Sequence, residues 1–451
     1  MWGASDQQDA PEPSGGKRIV VPVIVGTRPE AIKLVPVILA LRDSEYYEPL
    51  VVSTGQHHRM VNYIFELVGI RPDVTLWSGA RHSGLNARVA SVMERFEDFC
   101  AERFDLTADT APTGDDILNG RFPAAVLVHG DTSSAMAAAL SAFHMRMSVM
   151  HVEAGLRTPS NLSPFPEELN RELITRIAAL HFAPTQRNLE NLVRENVSVN
   201  QVFVTGNTGI DALQWATTLD VGFANPDLQA LYDGDERIVV VTAHRRENWG
   251  DGLVGISEGI SRSAASAPDV HFVVPMHPNP RVRDVLTQRL SDAPNVLLTE
   301  PLGYATFAKL LARAHIVVTD SGGVQEEAPS LGKPVLVLRE TTERTEGLDA
   351  GTLRLIGTDP DRIVIETMRL LEDPTAYAQM AEASNPYGDG KAAHRIIGAL
   401  EHILLGAHPP EPFGPGYNRF AIASAAGFTI SGNDAAQQLL RSEAELLGEG
   451  A

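Results

Sequence analysis

The apolar residues of this chain gather in short dense runs, each closed by a small or polar turn and followed by a stretch with helical spacing. The first run, RIVVPVIV at Arg18–Val25, is apolar at nearly every position and rich in β-branched residues, which suits a strand buried on both faces of a parallel sheet. It leads into Gly26-Thr27-Arg28-Pro29-Glu30 and then AIKLVPVILALRDS, where apolar positions recur with a helical period. The same grammar returns at Glu48–Thr54 before Gly55-Gln56-His57, and at Ala124–His129 before Gly130-Asp131-Thr132. It returns again at Met147–Val152 before Glu153-Ala154-Gly155, and at Ala179–Ala183 before Pro184-Thr185. A second series past Asn207 comprises Arg237–Thr242, His271–Pro275, Val296–Thr299, His315–Thr319 and Pro334–Leu338.

Short strands alternating with helices predict an α/β protein with parallel, doubly wound sheets, and two such series predict two domains facing across a cleft. The expected boundaries are a leader at 1–17, a first domain at 18–205 completed by a helix from 390–405, a second at 206–389, and a linker and tail at 406–451. Residues 107–121, TADTAPTGDDILNGR, read as a polar loop or insertion, and no internal repeat is present.

Composition narrows the partners. Of 451 residues 43% are hydrophobic and 57 acidic side chains outweigh 37 basic ones, a formal charge of −20 that repels nucleic acid and anionic lipid surfaces. Cys100 is the only cysteine, which excludes an intramolecular disulfide and a multi-thiolate metal site. The leader is acidic and rich in Pro and Gly, unlike a signal peptide, and no apolar run approaches the ~18 residues of a membrane span. A soluble cytoplasmic protein is the expectation. Only five of the basic residues are lysines, which draws notice to Lys33 beside the first turn.

Ligands of open α/β sheets bind at the carboxyl ends of the strands. In the first series those ends carry Arg28 and Glu30, Gln56 and His57, Asp131, Glu153 and Arg157. Asp131 also has the chemistry of a helix N-cap, whereas capping explains Glu153 less well. Ser163-Pro164-Phe165-Pro166 leads into a helix whose first turn holds Glu167 and Glu168, and for either acid complementing the helix dipole is as good a reading as a part in the chemistry.

In the second series, His244 with Arg245 and Arg246 follows a strand, a setting for a phosphate or leaving-group contact. Thr319-Asp320-Ser321-Gly322-Gly323 runs from a strand into small residues whose backbone N–H groups can approach an anion, with Glu327 placed for a ribose diol and Arg344 in the next loop. Neither a Walker A sequence nor a G-x-G-x-x-G fingerprint occurs after the first strand. An anion clamp in one half facing carboxylates in the other suits proton transfer at a sugar-like carbon with a diphosphate as leaving group.

These residues closely resemble the non-hydrolysing UDP-N-acetylglucosamine 2-epimerases. The resemblance is carried by GTRPEAIKLVP (26–36), VHGDTSSAMAAALSAF (128–143), HVEAGLRT (151–158), PFPEELNR (164–171), VTGNTGIDAL (204–213), HRREN (244–248), TDSGGVQEEAPSLGKPVLVLRETTER (319–344), AGTLRLIGTD (350–359) and NPYGDGKAAHRI (385–396). It implies a glycosyltransferase-B-type pair of Rossmann-like domains, usually a homodimer. The reaction it implies is interconversion of UDP-GlcNAc and UDP-ManNAc, by elimination of UDP to 2-acetamidoglucal and re-addition, with neither NAD nor a metal. By the same resemblance Asp131, Glu153, Glu167 and His244 form the catalytic set, and Arg28, Lys33, Phe307, Ser321, Gly322, Gly323, Glu327 and Arg344 contact the nucleotide sugar. With Arg245 and Arg246, these cations gather around one cleft in an otherwise acidic chain.

The chain departs from the family pattern at Gln56-His57-His58-Arg59-Met60, usually Gln-His-Arg-(Glu/Gln)-Met, where bacterial members help bind a second, activating UDP-GlcNAc. Thr345-Glu346-Gly347 replaces Pro-Glu-(Ala/Gly), and Ala243 stands where Gly is usual. Such departures leave open a hydrolysing enzyme, an epimerase of a related UDP-amino sugar, and an inactive nucleotide-sugar-binding module. The intact acidic set argues against the last.

Overall fold

The structure is a computed structural model and describes residues 17–76, 84–106, 112–158, 160, 162 and 164–414. The leader up to residue 16, the tail from 415 and Ser163 lie outside the described residues.

Two parallel sheets form in chain order. The first contains β1 (Ile19–Val25), β2 (Tyr47–Ser53), β3 (Val74–Thr75), β4 (Val126–His129), β5 (Val149–Val152), β6 (Leu180–Ala183) and β7 (Val202–Val204), in the spatial order β3-β2-β1-β4-β5-β6-β7. The second contains β8 (Arg237–Thr242), β9 (Val270–Pro275), β10 (Val296–Thr299), β11 (Ile316–Thr319), β12 (Val335–Val337) and β13 (Leu353–Leu355), in the order β10-β9-β8-β11-β12-β13. Every residue of β1 is buried, as its unbroken apolar run predicts, and it runs in register with β2 from Ile19↔Tyr47 to Val25↔Ser53.

Three strands escape the apolar-run signal. β3, β7 and β13 are edge strands of two or three residues, too short to build a run, and β13 is interrupted by Arg354, which ion-pairs with Glu366 at 2.9 Å. The 107–121 segment is also more ordered than a loop. Within it Gly114–Leu118 forms a short helix, because Thr113 and Asp116 make a reciprocal capping box; residues 107–111 lie outside the described residues.

The two sheets share an apolar seam. The helix Thr208–Thr217 packs on Arg28–Asp43 in the first half and on Tyr304–Arg313 in the second, and Ala392–Leu405 packs on the first two of these. Leu34, Ile38, Leu213, Ile396, Leu311 and Val317 are buried within one continuous cluster along this seam. Among the described residues no helix is long and apolar enough to cross a membrane.

One glycine is demanded by close approach. Gly155, just past β5, has φ +90, and a Cβ there would lie 2.2 Å from the carbonyl oxygen of Asn188. The chain leaving β5 therefore runs directly against the helix Gln186–Arg194, with no room for a side chain.

Candidate active site

Each sheet reverses its winding once, between β1 and β4 in the first and between β8 and β11 in the second. Loops that leave neighbouring strands in opposite directions open a crevice there. The loops at the two reversals are Gly26–Thr27 with Gly130–Thr132, and Ala243–Arg245 with Asp320–Ser321.

Glu30 fixes the first pair of loops rather than facing a ligand. Its carboxylate accepts from the backbone N–H groups of Gly26 (2.9 Å) and Thr27 (2.6 Å) and from the Thr132 hydroxyl (2.7 Å). Thr132 in turn caps the helix Ser133–His144 by accepting from Ala135 N–H at 3.0 Å. The cap position that sequence allowed for Asp131 is thus filled by its neighbour, leaving Asp131 for other work.

Asp131 receives Arg171 at 2.5 Å on its side chain and Asn170 at 2.8 Å on its carbonyl. Burial raises its pKa above the ordinary value; Arg171 works against that, and the charges of Glu153 and Glu167 add to it. Glu153 occupies a left-handed backbone conformation, φ +63, unusual for a residue with a side chain. Lys33 donates to its Oε1, while His129 Nε2 lies 3.6 Å from its Oε2. Burial alone would raise the Glu153 pKa, but Lys33 and His129 outweigh it and bring it down to about 2. Lys33, which the resemblance assigned to nucleotide contact, is held here by a carboxylate. Burial opposes its charge, and Glu153 and Glu326 on either side restore it and push its pKa up.

The two acids opening the helix Glu167–Ile177 separate by role. Glu168 is buried and accepts from Arg171 (2.6 Å), Thr158 N–H (3.0 Å) and the Thr158 hydroxyl (2.9 Å), so it holds the arginine that holds Asp131. Glu167 has a buried oxygen with no partner among the described residues, and its charge is felt at Asp131. Arg157, a strand-end candidate, turns to Glu195 at 2.9 Å and Thr175 at 2.8 Å and serves local structure.

In the second half the organiser is Asp320, fully buried. It accepts from the backbone N–H groups of His244 and Arg245 (both 2.9 Å) and from Asn248 Nδ2 (3.0 Å), and sits 3.2 Å from His244 Nδ1. His244 stacks on His277 with ring centres 5.6 Å apart; burial lowers its pKa, with Asp320 opposing and His277 and Arg245 adding. The sequence motif contained Asp320, but nothing local showed that its partners lie more than 70 residues away.

Ser321 starts the turn Gly322–Glu327 with its hydroxyl making no cap. A Cβ on Gly322 would lie 3.0 Å from Arg344 Cζ and 3.1 Å from Arg245 Nη2, so two guanidinium groups rest directly over this backbone, as an anion clamp requires. A Cβ on Gly323 would meet nothing within 4 Å. The clamp is not bare positive charge. Arg344 donates to Glu326 at 2.9 Å and also pairs with Glu343, while Glu326 accepts from Asn207 at 2.8 Å. Glu327 is pushed up to about 7 by burial and by Glu326, with Lys33 and Arg28 opposing. Phe307 is half-buried against the seam, and Arg246 is exposed on a single turn of helix, outside the cluster that sequence placed around the cleft.

Between the halves lies a cavity of about 520 Å³ lined by Glu153, Arg171, Asn207, Arg245, Glu326 and Arg344, among others. Its size suits a ligand larger than a simple sugar. The Glu153 carboxylate and the two clamp arginines thus open onto one space, and Asp131 joins it through Arg171.

A family model described as UDP-N-acetylglucosamine 2-epimerase matches residues 102–401. The UDP-N-acetylglucosamine 2-epimerase of Bacillus subtilis is 43% identical over 384 residues, 85% of this chain and 95% of that protein. That of Escherichia coli K12 is also 43% identical over 384 residues, covering 84% and 97%. Among solved structures, UDP-GlcNAc 2-epimerase from Neisseria meningitidis bound to UDP-GlcNAc superposes with a TM-score of 0.69 at 39% identity, covering 84% of this chain and 99% of that one. The chain therefore belongs to the UDP-N-acetylglucosamine 2-epimerase family.

Proposed function

We propose that this protein interconverts UDP-GlcNAc and UDP-ManNAc by reversible elimination and re-addition of UDP. The observation that carries this reading is the shared cavity, with the Glu153 carboxylate of the first half on one side and Arg245 and Arg344 over the backbone of Gly322 on the other. The C2 hydrogen of the sugar is a poor acid, so its removal must be coupled to loss of a good leaving group. Glu153, held anionic by Lys33, takes the C2 proton. The C1–O bond breaks with its electron pair going to UDP, leaving a C1–C2 double bond in 2-acetamidoglucal.

Asp131, whose environment disfavours its charge, is the acid that returns a proton to the other face of C2 while UDP re-adds at C1. Two carboxylates pushed apart in pKa is the arrangement expected of an acid and a base working on one carbon. Glu167 lies close enough to bias Asp131, and His244, Arg245 and Arg344 stabilise the departing diphosphate. Gly322 and Gly323 offer backbone N–H groups to phosphate oxygens and Ser321 its hydroxyl, its own N–H being taken by Thr319 Oγ1 at 2.9 Å. Glu327, partly protonated near neutral pH, engages the ribose diol, with Arg28, Lys33 and Phe307 completing the nucleotide-sugar contacts.

Incubation with UDP-GlcNAc in deuterated water, followed by NMR, is expected to show deuterium at C2 of both epimers, with no stoichiometric release of free amino sugar. Absence of exchange would sink the reading, and free UDP with free ManNAc would identify a hydrolase.

The chain works as a homodimer on this reading. Support comes from Leu169 and Leu173, one turn apart and exposed on the helix Glu167–Ile177, and from Phe143, 58% exposed on the helix packed against it. Light scattering should give twice the chain mass, and Leu169→Glu with Leu173→Glu should halve it. A parent protein that runs as a monomer would remove the assembly from the proposal.

A further inference from the structure

His129 ends β4, next to Gly130 and Asp131, and is 3% exposed. Its Nε2 is buried without a hydrogen-bond partner among the described residues. The nearest acidic atom to that nitrogen is Glu153 Oε2, at 3.6 Å, too far for a hydrogen bond. The other carboxylate oxygen, Oε1, is already taken by Lys33.

This spacing has a simple electrostatic reading. Burial keeps the imidazole neutral, its pKa lowered to about 4, and a proton on Nε2 would draw Oε2 within hydrogen-bond distance, so the 3.6 Å separation points to a ring proton on Nδ1 and a lone pair on Nε2. An ionised carboxylate also presents only lone pairs. Two acceptors with no proton between them stand apart, and Nε2, buried without a donor, is costly unless another state of the site supplies one. Protonation of Glu153 supplies that state, because Oε2 then becomes a donor aimed at Nε2. Gly130 leaves this side clear: even a Cβ there would stay 3.4 Å from Oε2.

We propose that His129 is a positioning residue that accepts a hydrogen bond from Glu153 only after Glu153 has taken the substrate proton. The inference rests on the reading of Glu153 as the base. In the elimination, the C2–H bond breaks and an O–H bond forms on Glu153 as UDP departs with the C1–O pair. The new hydroxyl then turns about its C–O bond toward Nε2. The imidazole gains a hydrogen bond and no proton, so the charge balance of the step is unchanged. With its hydrogen turned from C2, Glu153 holds the proton while Asp131 delivers one to the other face; in the reverse direction the hydroxyl turns back and Glu153 returns the proton to C2.

The test measures C2 exchange and epimer formation in deuterated water for the full chain and for His129→Phe, His129→Gln, Glu153→Gln and the double variant His129→Phe/Glu153→Gln. His129→Phe is expected to lower kcat about 30-fold, the scale of one hydrogen bond beside a charge, while KM and UDP affinity stay within about 2-fold. His129→Gln, which offers an amide oxygen as acceptor, should recover most of that loss. Glu153→Gln should lower exchange by at least about 10³-fold, and on that residual rate the added His129→Phe should have no further effect, since the two side chains act in one step. The inference is overturned if His129→Phe keeps parental kcat, if it loses UDP binding along with turnover, or if His129→Gln is as poor as His129→Phe. Loss of exchange in Glu153→Gln with normal turnover in His129→Phe removes only the histidine's role. Parental exchange in Glu153→Gln removes the base assignment and this inference with it.

Discussion

Asp131→Asn is expected to reduce epimer formation by at least about 10³-fold, the range associated with removing a proton carrier, while UDP affinity changes by less than about 3-fold. The asymmetry follows from where Asp131 sits. It stands at the first sheet's reversal point, bound to Arg171 and Asn170, whereas the diphosphate clamp is built from Arg245, Arg344 and the turn at Gly322 in the second half. Asparagine preserves the volume and still accepts from Arg171, whose other partner, Glu168, remains at 2.6 Å. What it cannot do is exchange a proton with carbon near neutral pH. Turnover by NMR and UDP titration by calorimetry separate the two effects. A variant retaining a tenth of parental turnover would mean that Asp131 does not carry the proton, and Glu167, the adjacent acid with an unpartnered buried oxygen, would become the candidate.

The largest expected effect on stability comes from Gly155→Ala. Two penalties add at this position: φ +90 is a conformation that side-chain-bearing residues rarely adopt, and the new methyl would sit 2.2 Å from Asn188 O and 2.8 Å from Asn188 C. The obstructing atoms are backbone atoms within the helix Gln186–Arg194, so neither partner yields without moving that helix or the end of β5. A loss of at least about 3 kcal/mol is expected in denaturant unfolding. Gly323→Ala is the control, because nothing lies within 4 Å of a Cβ there, and it should unfold close to the parent. Gly155→Ala should also depress turnover in the protein that remains folded, since Glu153, two residues earlier, is held at φ +63 by the same turn. Parental stability in Gly155→Ala would show that the β5 exit has more freedom than this packing allows.

Much of the framework was legible before any coordinate. The apolar runs mark β1, β2, β4, β5 and β6 and all but one strand of the second sheet, because a strand covered on both faces has to be apolar along its length. They miss β3, β7 and β13, whose edge positions need only two or three residues. Strand-end position also singled out Glu153, Arg157 and Arg245, which line the cavity, but not Arg171, Asn207 or Glu326, which line it too.

Strand-end position did not sort those side chains by what they touch. Glu30, Asp131, Glu153 and Glu168 are all acids at strand or helix ends, yet Glu30 and Glu168 are absorbed in holding loops and an arginine, while Glu153 lines the cavity and Asp131 pairs with Arg171, which lines it. Two arginines in neighbouring motifs part in the same way, Arg171 reaching Asp131 and Arg157 reaching Glu195.

The sequence by itself determined the two-sheet architecture, the family and the short list of chemically able residues, because these depend on local pattern and on residues close together in the chain. Tertiary structure alone decided the pairings that give those residues their states. Lys33 meets Glu153 across 120 residues, Glu30 meets Thr132 across 102, and His244 meets Asp320 across 76. A carboxylate's charge is set by the donors, cations and burial that folding brings to it, and none of these is encoded beside it in the chain.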